Sequence, residues 1–367
     1  MPTDFDTREK PLYAPPTEGI KYAGSKLKLL PHIMQMTSKL PVQTALDAFS
    51  GTTRVAQAFA QSGLDTTAND IAPWSRVFAT CYLLSTKPDS YYQPLLDKLN
   101  ALPGMQGWFS EHYGSDAPEG KRPFRLKNAM RLDAIRDKID AWQLSEEDKS
   151  VLLVSLMLAL DAVDNTLGHF ASYLSGWSAR SQRDLHLRLP RRFPLRSQNV
   201  VLQTDALQAV RQFHDLVYLD PPYGSNNRKM PPSRVRYAAY YHFWKTLVLN
   251  DHPSLFGRAN RREDSRDIVS SSPFEDFRTD DAGQSVALKA LRQLIAQTQA
   301  RYILLSYSSG GRATKDELYN IIYSSGRLLE AREIDYTQNV MHAMRRTNEW
   351  GINPTAAHRE YLFLIEK

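Results

Sequence analysis

Cysteine is nearly absent from this 367-residue chain, with Cys81 as the single example. One thiol excludes a disulfide within the chain and a thiolate-held metal cluster, and it suits a reducing, cytoplasmic setting. The nine histidines fall at neither the two-His helical spacing nor a Cys/His spacing, so no metal is expected. Long apolar runs are missing too. The longest, Val151 to Leu160, contains Ser155 and meets Asp161, well short of the roughly 20 residues of a membrane-spanning helix. It reads as a core helix. Met1 to Glu18 carries charges and prolines where an export signal needs an apolar stretch. Internal repeats and low-complexity tracts are absent as well.

What is present is globular: 42% hydrophobic and 23% charged residues, in a chain long enough for one large domain or two ordinary ones. Lys and Arg number 46 against 40 Asp and Glu, a net charge of +6, and this mild excess favours an anionic partner. The arginines are unevenly placed. Arg180, Arg183, Arg188, Arg191, Arg192 and Arg196 share one stretch whose single acid is Asp184. These six are candidates for phosphate contact, weighed against a merely solvated face. For Arg258, Arg261, Arg262 and Arg266 the solvated face is the favoured reading. Arg345-Arg346, beside Asn348 and Trp350, is a slighter signal for base readout. His242, within Tyr240 to Trp244, reads as aromatic packing, and His169 as a cap or core residue.

Lys26 to Lys39 places Leu27, Leu30, Ile33 and Met34 near helical spacing and predicts a helix, closed by Pro41. Thr44 to Phe49 is a short apolar segment running into Ser50-Gly51-Thr52, and Arg54 to Gln61 is again helical in pattern. Leu64 to Asn69 is Thr-rich and ends on Asp70, which suits a second parallel strand entering a loop. The opening is therefore a βαβ unit. From about Thr86 to Asn199 the rhythm breaks, with a helical stretch around Ser145 to Leu174 followed by the Arg-rich segment, and residues 86–199 read as an insertion. Strand-like runs resume at Val200 to Gln203, Leu216 to Leu219, Tyr302 to Tyr307 and Glu360 to Ile365, with a helical pattern at Val286 to Thr298. The alternation predicts an α/β fold whose mostly parallel sheet is covered on both faces and binds ligands at the carboxyl ends of its strands.

One strand end is chemically distinctive. In Val217-Tyr218-Leu219-Asp220-Pro221-Pro222-Tyr223-Gly224 an apolar strand runs into an acid, two prolines and an aromatic, so a stiff backbone stands where a flexible loop is usual. The proline carbonyls can face a ligand as acceptors, Asp220 adds a carboxylate and Tyr223 a stacking surface. An exocyclic amine on a planar base fits that set better than a plain polyproline turn over a buried Tyr does.

Asp220-Pro221-Pro222-Tyr223 matches the catalytic signature of amino-group DNA methyltransferases. Lys21-Tyr22-Ala23-Gly24-Ser25-Lys26, Asp47-Ala48-Phe49-Ser50-Gly51-Thr52-Thr53 and Asn69-Asp70 resemble the cofactor motifs of the adenine-N6 enzymes, in the same order. Thr204-Asp205 and Leu305-Ser306-Tyr307 resemble further motifs of that family. The chain looks closest to modification methylases of bacterial restriction systems. This resemblance implies a Rossmann-like methyltransferase fold with a mostly parallel seven-stranded sheet and a mainly helical insertion. It implies an extension at 1–19, a cofactor-binding part at 20–85, target recognition within 86–199 and a catalytic part at 200–367.

S-adenosyl-L-methionine is then the cofactor, with Tyr22, Lys26, Phe49, Gly51, Asp70, Asp205 and Asp220 around it. Asp70 would accept hydrogen bonds from both ribose hydroxyls, and Gly51 would let the backbone pass close to the methionine part. Double-stranded DNA is the implied partner, with a cognate restriction endonuclease beside it. Two departures stand out: Thr53 replaces a usual second glycine, and Tyr22 a frequent Trp. Cys81 lacks the Pro-Cys context of enzymes that attack cytosine through carbon, and Asp220 favours adenine over cytosine N4. The implied mechanism flips the adenine, stacks it on Tyr223 and holds N6 with Asp220 and the Pro221 carbonyl. Two rivals are weighed. One is an RNA base methyltransferase, whose chains tend to be compact; the other is a noncatalytic DNA-binding module that keeps a relic of the cofactor fold.

Overall fold

Alternate residues of each central strand face opposite ways, and that alternation divides this protein into layers. In the computed structural model, which describes residues 12–227, 236–266, 272–335 and 359–367, seven strands form one sheet: β1 (Thr44–Asp47), β2 (Asp65–Asn69), β3 (Val200–Leu202), β4 (His214–Leu219), β5 (Ala300–Ser308), β6 (Arg327–Asp335) and β7 (Arg359–Glu366). Their order is β6-β7-β5-β4-β1-β2-β3. The pairs from β5 through β3 are parallel, and β7 runs antiparallel between β5 and β6.

Ala45, Leu216, Tyr218, Tyr302 and Leu304 face a cluster built with α1 (Leu30–Thr37) and α2 (Arg54–Gln61). Their neighbours Leu46, Val217, Leu219, Ile303 and Leu305 face the opposite cluster. That second cluster takes in residues of α8 (Ala206–Ala209), α11 (Val286–Gln297) and α12 (Lys315–Tyr323). The expected sheet with helices on both faces is therefore present.

After β2 come α3 (Pro73–Ala79), a π-helical turn at Thr80–Leu84, and the added helices α4 (Asp89–Asn100), α5 (Trp108–Tyr113), α6 (Leu126–Ala141) and α7 (Glu146–Val163). This stretch has no core of its own. Its Leu96, Phe109, Phe124, Ile135 and Leu156 join one cluster with Phe78 of α3 and with Phe243, Trp244 and Leu247 of α10 (His242–Leu249). Helix α10 follows α9 (Tyr237–Tyr240), downstream of β4. Val151 to Leu160 is buried throughout, as a core helix should be.

Two local expectations give way. The helix predicted through Leu174 stops at Val163, because the Asp164 carboxylate, 1% exposed, is gathered by Lys21 at 2.5 Å and Arg180 at 2.9 Å. Gly168 then turns with φ +96°. The predicted 26–39 helix is a 3-10 turn at Lys26–Lys28 followed by α1, with Pro31 in its first turn. The Arg345-Arg346 signal lies outside the described residues. Among the described residues, no helix is long and apolar enough to cross a membrane.

Asp164 thus ties the end of α7 to the segment that carries Tyr22. Replacing it by Ala leaves two partly buried cations without their shared partner, and Asp164→Ala is expected to lower stability by about 2 kcal/mol. Urea unfolding measures this, and an unchanged midpoint would show that the tie contributes nothing.

Candidate active site

Parallel strands bring their carboxyl ends to one edge, and here three of them deliver acids: Asp47 from β1, Asp70 just past β2 and Asp220 just past β4. Asn69 fixes the spacing of these ends. Its side-chain amide donates to the carbonyls of Ala48 at 3.1 Å and Thr204 at 3.2 Å, its side-chain oxygen accepts from Thr204 N at 3.1 Å, and its own carbonyl accepts from Ser50 N at 2.9 Å.

Asp220 lies 3.0 Å from the ammonium of Lys26, a side chain only 6% exposed. The same ammonium donates to the Tyr223 hydroxyl at 2.8 Å and to the Gly24 carbonyl at 3.1 Å. Tyr223 also hydrogen-bonds Glu360 at the start of β7. Burial pushes the Asp220 carboxyl up to about 6, with Lys26 holding it down against that trend. Burial works against the Lys26 charge as well, but Asp220 and Glu360 outweigh it and leave its pKa raised. At neutral pH the pair is therefore charged.

A cavity of about 500 Å³ opens at this edge, a size usual for small-ligand sites. Tyr22, Lys26, Phe49, Gly51, Asp70, Asp205, Asp220 and Pro222 all line it. Pro221 and Tyr223 do not. Pro221 is buried, and the Tyr223 ring meets Tyr307 edge-on at 5.3 Å. Gly51 is required where it is: its φ is +49°, and a Cβ there would come within 3.2 Å of the Tyr22 ring. Next to it, Thr53 keeps the left-handed backbone of the expected glycine, with φ 62°. Its hydroxyl accepts from Gln57 at 2.9 Å and donates to the Thr52 carbonyl at 2.7 Å, which offsets strain unusual for a β-branched residue.

The two Asp70 oxygens accept separately, from Gly51 N at 2.8 Å and Ala72 N at 2.9 Å, with Ser75 and the Ile71 backbone also beside the carboxylate. Asp205 caps α8 through Leu207 N at 2.8 Å. Sequence reasoning passed over Asp47, which is 1% exposed and lines the cavity. One of its oxygens takes Ala56 N at 3.1 Å while Oδ1 has no hydrogen-bond partner among the described residues. Burial, with Asp220 adding to it, raises that carboxyl to about 8. Trp74, Tyr237 and Tyr241 were passed over too. Tyr241 stacks on Tyr22 at 4.6 Å, and Trp74 and Tyr237 flank the same ring. A scattered aromatic set carries no linear signal, although the acid heading the Asp47 motif could have been read.

Residues 22–275 match the family model described as D12 class N6 adenine-specific DNA methyltransferase. The chain belongs to this family. It is 29% identical to modification methylase StsI of Streptococcus sanguinis, over 95% of this chain and 52% of that protein. It is 26% identical to type II methyltransferase M.NlaIII of Neisseria lactamica, over 95% and 99%. It is 24% identical to type II methyltransferase M.FokI of Planomicrobium okeanokoites, over 95% and 53%. The chain thus spans about half of StsI and M.FokI and nearly all of M.NlaIII. A D12 methyltransferase requires a methyl donor and DNA.

The six arginines of the insertion separate on inspection. Arg180 donates to the Asp164 carbonyl at 2.7 Å and pairs with its carboxylate. Arg188 pairs with Glu18 at 2.7 Å. Arg192 pairs with Asp89, donates to the Lys87 carbonyl at 2.9 Å and lies 4.6 Å from the Tyr92 ring centre. Those three brace the fold. Arg183, Arg191 and Arg196 are exposed and form no ion pair among the described residues. In the second group Arg262 departs from the solvated reading: it is 4% exposed, pairs with Asp251 at 2.6 Å and Asp264 at 3.0 Å, and lines the cavity. His242 is buried, bonded to the Phe170 carbonyl at 3.0 Å, and desolvation lowers it to about 3. His169 stacks on Tyr240 at 4.5 Å. Among the described residues no cluster of metal-binding side chains occurs.

The charged pair gives a titration test. Removing the Lys26 cation leaves burial unopposed, so in Lys26→Met the Asp220 carboxyl should titrate clearly above 6. Carboxyl NMR of the two proteins measures the shift, and an equal or lower value in the variant would mean that Lys26 does not act on Asp220.

Proposed function

We propose that the chain transfers a methyl group from S-adenosyl-L-methionine to N6 of an adenine turned out of duplex DNA. Support comes first from the charged Asp220, held by Lys26 at the head of a rigid Pro-Pro turn in a cavity that also carries Asp47 and Asp70. The cavity suits the cofactor's chemistry. Asp47 Oδ1, without a hydrogen-bond partner among the described residues, offers an acceptor whose ionised form a cationic ligand would favour against the burial that raises it, the Asp70 carboxylate faces a vicinal diol, and Gly51 leaves room for close backbone approach. Tyr22, Phe49 and the half-exposed rim acid Asp205 complete that wall. When bound, the cofactor supplies an electrophilic methyl group.

The residues then act by orientation. The N6 lone pair is conjugated into the ring, so the amine is a poor nucleophile until two acceptors hold its hydrogens and favour a pyramidal nitrogen. Asp220 and the Pro221 carbonyl are assigned that role. Tyr237, which lines the cavity, is assigned the stacking of the extruded base in place of Tyr223, whose ring lies outside the cavity against Tyr307, and Lys26 keeps Asp220 ionised. Insertion residues 86–199 are assigned to target recognition, with Arg183, Arg191 and Arg196 as phosphate contacts. The names of the relatives support a restriction-modification setting with a cognate endonuclease, and the single buried Cys81 suits a cytoplasmic enzyme.

Incubation with labelled cofactor and either duplex DNA or RNA tests the reading. Label is expected on adenine N6 of DNA; label on RNA alone would sink it. Asp220→Ala should lower the rate at least about 100-fold, since it removes an acceptor and little volume.

Asp70→Ala should weaken cofactor binding by about 1.5 to 3 kcal/mol, the usual loss for hydrogen bonds to a charged group. Calorimetry measures it. An unchanged dissociation constant would place the ribose elsewhere.

A further inference from the structure

The catalytic turn has two sides. Its inner side, Asp220 and Pro222, lines the cavity. Its outer side is covered by the loop that follows β5, Ser309-Gly310-Gly311-Arg312. Arg312 N donates to the Tyr223 carbonyl at 2.8 Å. Its side chain then lies across Gly224, where φ is +58° and a Cβ would come within 2.9 Å of Arg312 Nε and 3.0 Å of the Glu275 carbonyl. The chain therefore keeps a bare backbone under this guanidinium.

The charge on Arg312 is poorly compensated. Nε donates to the Glu275 carbonyl at 3.3 Å, and the guanidinium lies 5.7 Å from the Phe277 ring centre. Its two terminal nitrogens have no hydrogen-bond or ion-pair partner among the described residues. Of the nearby acids, Asp276 is already paired with Arg278 at 2.6 Å. Glu275 is 3% exposed and accepts Tyr237 N at 3.2 Å, and burial raises its carboxyl to about 7. Arg236, 5% exposed, is a second cation in the same place. Burial lowers the pKa of Arg312, Arg236 adds to that, and Tyr307, Asp276 and Glu275 oppose it. A half-buried fork whose tips have no partner among the described residues is a site for an anion with paired oxygens.

We propose that Arg312 binds a backbone phosphate flanking the nucleotide whose base enters the cavity, so that the same turn that orients N6 is coupled to the position of that nucleotide's backbone. The assignment rests on the DNA reading above. In this reading a base held at Asp220 brings its sugar and phosphates out over the turn, past Gly224, which the Arg312 side chain crosses. It is separate from the phosphate contacts proposed for Arg183, Arg191 and Arg196 of the insertion. Arg312 is here a positioning residue, since it touches the nucleotide's backbone and not the reacting atoms.

The test is a double cycle on the full-length protein. Wild type, Arg312→Gln and Arg312→Lys are measured with duplex DNA carrying normal phosphates or a neutral methylphosphonate on either side of the target adenine. Arg312→Gln should raise KM for DNA, flatten the slope of log K against log salt by about one unit, and weaken the fluorescence change of 2-aminopurine at the target position. Arg312→Lys should restore the slope in part. One of the two methylphosphonates should weaken wild type and add nothing to Arg312→Gln. Cofactor dissociation constants should agree among the three proteins, whereas a mere brace for the turn would alter cofactor binding and spare the salt slope. Independent, additive losses in the cycle, or an unchanged slope in Arg312→Gln, overturn the assignment while leaving the methylation reading intact. A wild type that transfers no methyl group to DNA overturns that reading, and this one with it.

Discussion

The buried pair of Lys26 and Asp220 is the constraint on which the site depends. It joins the chain's first motif to a strand almost 200 positions later, and it does so where water is scarce. Taking both charges out of water costs several kcal/mol per ion, which their attraction only roughly offsets. Its value is therefore in orientation more than stability: Lys26 can be satisfied there only if Asp220, the Tyr223 hydroxyl and the Gly24 carbonyl converge. Glu360 stands behind them on β7, so the antiparallel strand also helps to hold the turn that follows β4. A carboxylate raised to about 6 remains an acceptor at neutral pH, and without its cation the same burial would drive it toward the neutral acid.

The same logic explains why the insertion is not an appendage. Its helices share one apolar cluster with α3 and α10, and α10 follows directly on Tyr237 and Tyr241, which stand against Tyr22. Lys21, next to Tyr22, is bound to Asp161 and Asp164 at the end of α7. A shift of the insertion would thus be felt at the aromatic wall of the cavity through packed side chains.

Much of this was legible in the sequence because it is local or periodic. The βαβ opening, the strand ending in Asp220 and the buried Val151 to Leu160 helix all follow from spacing, and the family motifs placed Tyr22, Lys26, Phe49, Gly51, Asp70 and Asp205 around one cavity. What the sequence hid is long-range. The outward-facing side of the catalytic turn, the stop of α7 at Asp164 and the aromatic set of Trp74, Tyr237 and Tyr241 depend on contacts between distant segments. Arginines were the hardest to read. Density along the chain suggested a single basic surface, yet Arg180, Arg188 and Arg192 spend their charge on Asp164, Glu18 and Asp89, and Arg262 is internal.

Thr53 shows how far a motif can drift while its geometry holds. The motif needs a left-handed residue after Gly51 and Thr52 to lead the backbone into α2, and glycine meets that need without strain. Thr53 adopts the conformation nonetheless, at φ 62°. It is fully buried, and its hydroxyl links the Thr52 carbonyl to Gln57, while Gln57 exchanges hydrogen bonds with the Glu18 backbone at 2.8 and 3.0 Å. Glu18 in turn takes the Tyr82 hydroxyl at 2.9 Å and Arg188 at 2.7 Å. The cost of the strained residue is thus met by a network that also fixes the incoming chain and the insertion against α2. A glycine at this position would relax the backbone and lose the Gln57 link, so the departure from the motif is compensated locally and leaves the cofactor wall in place.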